Sequence, residues 1–258
     1  MTETQIANQE RVRPSEWPEE LDFPDISHII TETEEPVDNL ISEKQMRLLT
    51  EPLYSSWEGL KDENGEARPF AAFANVGLFM SLHGNPIVPD MMLSLDIRVP
   101  PAFPPEKAYR TYLVWEYGKV PDVVVEIVSN RKGGEDSRKM REYARLGILN
   151  YIVYDPERWL SDDVLHLYEL RGRQYELRPN LKLPEVGLSL QLWNGDFEGN
   201  YFTWLRWCDS EGELIPTGAE RAAQAEERAA DAEYRATEAE ERADRLAAKL
   251  RELGINPE

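Results

Sequence analysis

A chain of 258 residues with 41 % hydrophobic and 10 % aromatic side chains is long enough to bury a full core, as one or two domains. Its net charge of −20, half of which lies in residues 1–58, argues against binding nucleic acid through overall charge. The single cysteine, Cys208, excludes an internal disulfide. Without an apolar signal or membrane-spanning segment, the chain is expected to stay in the cytoplasm.

The N-terminal part is predicted to be an arm followed by a helix. Residues 1–37 are acidic and interrupted by prolines, a composition typical of an extended or poorly ordered segment. Asp38 can cap a helix that runs to about Leu49. This helix would open a globular domain over residues 38–216.

Runs of β-branched and aromatic residues predict an α/β domain with a central sheet. The run 120–129 has β-branched residues on both faces, which is typical of a central strand covered on both sides. A helix follows, with Asp136 at its start and Gly147 as its C-cap. The candidate strands are 70–82, 88–99, 109–115, 120–129 and 150–154, then 164–170, 174–178 and 188–193 as an extension of the same sheet, with the aromatic run 201–207 closing the domain.

Residues 217–258 are dominated by alanine and charge, which predicts a C-terminal coiled-coil helix. Apolar residues recur at alternating spacings of three and four from Ala222 to Leu253, the heptad pattern. Arginine or lysine fills the g positions and glutamate fills three e positions, so opposite charges face each other in a parallel pair. We expect a homodimer through a parallel coiled coil over 221–253. The alternative is a lone solvated helix, because alanine buries little area.

Glu126 is the most informative residue, because it interrupts an otherwise apolar strand. Burying an ionised carboxylate without partners costs several kcal/mol. Glu126 is therefore expected to be paired, protonated or bound to a metal. A buried ion pair with Lys139 or a nearby arginine is the alternative to a metal site.

A divalent ion at Glu126 would need a second carboxylate from a neighbouring strand. Two oxygen ligands of one Mg²⁺ lie within roughly 4 Å of each other. Asp122 shares the strand of Glu126, but four residues of strand separate their backbones by about 13 Å. The preceding candidate strand offers Asp90 and Asp96, and spacing alone leaves both open.

The segment 121–157, PDVVVEIVSNRKGGEDSRKMREYARLGILNYIVYDPE, resembles the signature segment of the Uma-type family of restriction endonucleases, within the PD-(D/E)XK nuclease superfamily. The upstream segment IVPDMMLSL resembles the first acidic motif of that family, and the resemblance covers about residues 38–215. It implies a restriction-endonuclease-like fold, in which helices flank a mixed central sheet.

The superfamily motif, an aspartate followed by Glu-x-Lys on the next strand, implies roles for individual residues. Asp90 and Glu126 would be the side-chain ligands of Mg²⁺, with Mn²⁺ as a possible substitute, and the backbone carbonyl of Ile127 would be a third ligand. Val128 stands where the motif has its lysine. The resemblance therefore implies that Lys139, on the following helix, replaces it as the third catalytic residue.

Further residues complete the predicted site. Asp136 would cap the helix that carries Lys139. Both Asp122 and Asp136 are candidates for orienting the metal ligands without binding the metal themselves. A basic cluster follows the central strand, although a solvated helix face explains such a cluster as well. Its candidates for DNA contact are Arg131, Lys132 and Arg138.

Three functions compete on these features. The first is a Mg²⁺-dependent DNA endonuclease, dimeric so that two sites address two strands. The second is a catalytically inactive nuclease-like module for nucleic-acid binding or assembly, favoured by the acidic charge and by Val128. A scaffold that uses only the coiled coil would leave Glu126 unexplained. Tyr143 is assigned to core packing, and none of the three histidines is assigned a catalytic role.

Overall fold

The computed structural model describes residues 39–100, 110–129 and 138–252. The predicted arm 1–37 lies outside the described residues, as do Arg131, Lys132 and Asp136. The helices are α1 (Leu40–Ser55), α2 (Val114–Tyr117), α3 (Met140–Leu146) and α4 (Gly218–Glu252). The strands are β1 (Phe70–Ala74), β2 (Leu78–Phe79), β3 (Met91–Leu95), β4 (Tyr112–Leu113), β5 (Val123–Ile127), β6 (Asn150–Tyr154), β7 (Leu165–Arg171), β8 (Gln174–Leu177), β9 (Lys182–Leu183), β10 (Leu188–Phe197) and β11 (Asn200–Cys208).

The predicted mixed central sheet is confirmed. Its six strands run in the order β1-β3-β5-β6-β7-β8. Only β5 and β6 pair in parallel, while the other neighbours in this sheet are antiparallel. Parallel neighbours need a crossover connection, and the chain segment that contains α3 supplies it. The run predicted to be the central strand thus forms β5, which lies inside the sheet.

The two faces of β5 are both covered, as its β-branched residues predict. Val123, Val125 and Ile127 pack in one cluster with α1 and with the hairpin of β10 and β11. Val124 and Val128 pack in a second cluster with side chains of α3, β2 and β4. Glu126 alternates with the first set, so it lies on the face that α3 covers.

Helix α1 differs from its prediction at both ends. The cap is Asn39 rather than Asp38, since the Asn39 side chain accepts a hydrogen bond from the Ser42 N–H at 2.9 Å. The helix continues to Ser55, well past Leu49 and through Pro52. Tertiary packing explains the extension, because Leu53 in the added turns is fully buried.

The C-terminal strands correct another prediction. The run 188–193 does not extend the central sheet; it lies in β10, which pairs with β11 in a separate sheet of the order β11-β10-β9. The run 201–207, predicted to close the domain, lies in β11. This second sheet packs Leu190, Leu205 and Trp207 into the first cluster. The run 109–115 is also different, because it forms the two-residue strand β4 followed directly by α2.

Helix α4 begins with a capping box. The Glu220 N–H donates to Thr217 Oγ1 at 3.1 Å, and the Thr217 N–H donates to Glu220 Oε2 at 2.7 Å. None of the side chains of α4 is buried. Among the described helices, none is both long and apolar enough to cross a membrane.

Candidate active site

Asp90 and Glu126 are brought together by the pairing of β3 with β5. Met91 lies opposite Val125 in this antiparallel ladder. Continuing the register by one residue places Asp90 opposite Glu126, and residues opposite each other have their side chains on the same face. Asp90 Oδ2 accepts a hydrogen bond from the Ile127 N–H at 2.6 Å, which holds the aspartate against β5.

Asp96, the other aspartate of the same sequence run, lies away from this pair. It follows the opposite end of β3, and its Oδ1 accepts a hydrogen bond from Arg68 Nε at 2.8 Å. This ion pair lowers the pKa of Asp96. Of the two aspartates that spacing left open, Asp90 is the one that the structure places beside Glu126.

Glu126 is fully buried and has two side-chain donors. Lys139 Nζ lies 2.6 Å from Oε2, and the Tyr143 hydroxyl donates to Oε1. Burial, and then the charge of Asp90, raise the pKa of Glu126 to about 8, although Lys139 and Tyr143 act in the opposite direction. The contact between Lys139 and Glu126, considered as the alternative to a metal site, is therefore formed. It does not bring the pKa of Glu126 back to the ordinary carboxylate range.

Asp155 is a second buried acid of this chain, and both of its carboxylate oxygens accept hydrogen bonds from the backbone. It is also fully buried, and its two oxygens accept the backbone N–H groups of Trp159 at 2.8 Å and Leu160 at 2.7 Å. Glu126 differs because a second carboxylate, Asp90, lies near enough to raise its pKa. Placing a divalent cation at the two acids would remove this repulsion.

The number of acids at this site suits Mg²⁺. Among the described residues, no group of three or more His, Cys, Asp or Glu side chains could hold a metal ion. Mg²⁺ is usually bound by one or two carboxylates, with water and phosphate oxygens filling the other positions. The pair Asp90 and Glu126 therefore has the chemistry that such a site needs.

Lys139 reaches Glu126 from across the sheet face. It precedes α3 by one residue, and its side chain is 17 % exposed, whereas that of Glu126 is fully buried. Lys139 is thus the more exposed partner of this pair. Val128, at the motif's lysine position, is buried in the apolar cluster under α3.

Of the other predicted residues, Asp122 does not join this pair. Asp122 was a candidate for supporting the ligands, but its Oδ2 accepts from Lys119 Nζ at 2.7 Å and from the Leu95 N–H at 2.8 Å. It secures the start of β5 rather than the end near Glu126. Arg138 is exposed, as a DNA-contacting residue must be. Asp136, Arg131 and Lys132 fall in the part of the chain that is not described.

Tyr143 is a contact of the candidate site that the sequence did not predict. Its ring is buried in the core, as predicted, but its hydroxyl hydrogen-bonds the carboxylate of Glu126. Burial, followed by the charge of Glu126, raises the pKa of this hydroxyl, so it remains a donor. The available signal was the spacing, because Lys139 and Tyr143 are four residues apart and share a helix face.

The fold and this pair of acids define a restriction-endonuclease-like protein. The chain matches the model of the Uma2 family, described as "Putative restriction endonuclease", over residues 28–197, and it belongs to that family. The matched segment includes Asp90, Glu126 and Lys139, whereas α4 lies beyond it. A search of the curated proteins finds no match to this chain.

Proposed function

We propose that the chain is a Mg²⁺-dependent endonuclease that hydrolyses phosphodiester bonds of DNA. The observation that carries this proposal is the pairing of two acids from neighbouring strands, Asp90 and Glu126, with the Lys139 ammonium 2.6 Å from Glu126. Membership of a family described as "Putative restriction endonuclease" supports nucleic acid as the substrate.

The metal would be held by Asp90 and Glu126, with the carbonyl of Ile127 as a further oxygen ligand. Each carboxylate oxygen has two lone pairs, so a protein donor on one of them leaves room for a cation. The raised pKa of Glu126 supports the assignment, because it reflects a buried negative site without enough positive charge. When bound, Mg²⁺ would polarise the phosphodiester and lower the pKa of a coordinated water.

The protein side chains would orient and neutralise the reacting groups. Lys139, the more exposed partner of Glu126, would orient the attacking water and offset negative charge that develops on the phosphate. Tyr143 would hold the Glu126 carboxylate in one orientation through its hydroxyl. Asp90 would fix the peptide of Ile127 by accepting its N–H.

The DNA would have to be bound by local contacts, because the net charge of the chain is −20. Exposed Arg138, next to Lys139, is the candidate contact on the described chain, and Arg131 and Lys132 are the candidates from the sequence. We also propose that the chain acts as a homodimer, so that two sites address the two strands of a duplex.

Plasmid cleavage tests the proposal. Purified chain with Mg²⁺ or Mn²⁺ is expected to nick supercoiled plasmid, and Glu126→Gln or Asp90→Asn should slow cleavage by at least about 10²-fold. Glu176→Gln is the matched control, because this glutamate is exposed on the edge strand β8. Cleavage at the same rate by wild type and Glu126→Gln would reject the assigned site.

A second candidate is a module that binds nucleic acid or assembles without cutting. It is favoured by Val128 at the usual lysine position and by the Lys139–Glu126 ion pair, which could serve stability alone. This candidate predicts that the chain binds DNA but does not cleave it in the presence of either Mg²⁺ or Mn²⁺. It also predicts that Glu126→Gln binds DNA as well as the wild type does.

A further inference from the structure

Helix α4 is long and polar, and the hydrogen bonds that hold it to the rest of the chain lie in its first turn. It runs for 35 residues from Gly218 to Glu252, and no side chain on it is buried. Leu246, an apolar residue near its end, is 54 % exposed. Because most helices in proteins are stabilised by packing of one face, a helix of this length without a buried face indicates a partner outside the domain.

One stripe of α4 has the composition of a coiled-coil seam. From Ala222 to Leu250 every a and d position is alanine or leucine, at alternating spacings of three and four. These positions are Ala222, Ala225, Ala229, Ala232, Ala236, Ala239, Ala243, Leu246 and Leu250. A period of 3.5 residues keeps such a stripe facing a second helix along its full length.

The charges beside the seam identify the partner as a second copy of the chain. In a parallel pair each g residue faces the e residue five positions later on the other helix. Arg228 would then face Glu233 of the other copy, and Arg235 would face Glu240. An antiparallel pair would set arginine against arginine and glutamate against glutamate. We propose that α4 pairs with its copy as a parallel two-stranded coiled coil.

The root of α4 is fixed to the nuclease domain. Arg206, only 1 % exposed, donates to both carboxylate oxygens of Glu220 at 2.8 and 2.6 Å. The Gly218 N–H donates to Glu51 Oε1 at 2.9 Å, and Arg221 donates to the carbonyl of Ser55. The first turn is therefore held by its own domain.

Because the first turn of α4 is fixed to its domain, the orientation of the two helices determines where the two domains lie in the dimer. Both domains would be carried at the same end of the paired helices, rather than at opposite ends as in an antiparallel pair. The two Asp90–Glu126 sites would then lie in the same half of the dimer. The pairing itself does not depend on cleavage, so it stands or fails separately from the proposed nuclease function.

The leucines near the end of α4 provide the sharpest test of pairing, because alanine buries little area and they contribute most of the apolar contact. Light scattering of the full chain is expected to give twice the monomer mass of 29.8 kDa. The double variant Leu246→Glu/Leu250→Glu should give the monomer mass. Tyr234→Glu is the matched control, because Tyr234 is exposed in the outward f position, and it should remain dimeric.

Cysteine crosslinking tests the orientation. Ala243→Cys places a thiol at an a position, where the two copies of a parallel pair approach within about 6 Å, close enough for a disulfide. The native Cys208 is buried and serves as the background in the unsubstituted chain. On mild oxidation, we expect Ala243→Cys to form a covalent dimer with itself.

Three outcomes would overturn the proposal. A monomer mass at every concentration at which the chain stays in solution would remove the pairing. Crosslinking of Ala243→Cys only when it is mixed with Ala232→Cys would show an antiparallel pair, because those two positions are equidistant from the middle of the heptad run that extends from Ala222 to Leu253. A dimer that persists in the leucine double variant would place the interface on another surface.

Discussion

Replacing Glu126 by glutamine should remove a pH-dependent loss of stability from the metal-free chain. Burial and Asp90 raise the pKa of Glu126 from the ordinary 4.5 to about 8. Glu126 therefore binds its proton more tightly in the folded state than in the unfolded state. The resulting stabilisation of the fold is fully present below about pH 4.5 and is lost as the pH rises to about 8. Glutamine mimics the protonated acid at every pH.

The size of the effect follows from the shift. One pKa unit corresponds to about 1.4 kcal/mol, so a shift of this size corresponds to on the order of 5 kcal/mol at most. Water entry and side-chain relaxation reduce the penalty of a buried charge, and we therefore expect about 2–4 kcal/mol. When the pH is raised from 5 to 9, the free energy of unfolding should fall by about 2–4 kcal/mol more in the wild type than in Glu126→Gln.

Urea unfolding in the presence of a chelator measures this difference. Wild type, Glu126→Gln and the exposed control Glu176→Gln are unfolded at pH 5, 7 and 9, and the free energies of unfolding are compared at each pH. The control should follow the wild type, because its glutamate is solvated in both states. If Glu126→Gln also follows the wild type, then the ionised Glu126 does not destabilise the folded state.

Three further predictions follow from the contacts around the site and the root of α4. Lys139→Ala should slow plasmid cleavage by about 10²-fold or more while metal binding, measured by calorimetry, is retained. Tyr143→Phe removes one hydrogen bond to Glu126 but keeps the ring, so it should lower the free energy of unfolding by about 1–2 kcal/mol at pH 9, and an unchanged value would contradict the contact. Glu220→Ala leaves the buried Arg206 without its carboxylate and should cost about 3 kcal/mol in urea unfolding, whereas a cost near zero would show that Arg206 finds other partners.

Much of the fold could be predicted from local sequence. The apolar run of β5 predicts a strand covered on both faces, and its place inside the sheet confirms this. Gly147 was predicted as the C-cap of α3, and it adopts a left-handed conformation with φ of 82°. The separate sheet of β9, β10 and β11 was not predictable, because strand pairing depends on contacts far apart in sequence. The extension of α1 past Leu49 has the same cause, since its added turns are stabilised by packing.

The candidate site was predictable in part. Alternation along β5 singled out Glu126, and the need for a neighbouring strand narrowed its partner to Asp90 or Asp96. Choosing between these two required the register of β3 against β5, which spacing does not determine. The hydroxyl of Tyr143 was missed because a residue that fits the apolar stripe of a helix is first explained as packing.

Calorimetric titration of the chain with Mn²⁺ tests whether Asp90 and Glu126 bind one divalent ion together. We predict one binding site, with protons released on binding near neutral pH because Glu126 must give up its proton. Asp90→Asn and Glu126→Gln should each abolish this binding. Binding of Mn²⁺ with unchanged affinity by both variants would show that the two acids do not hold the ion.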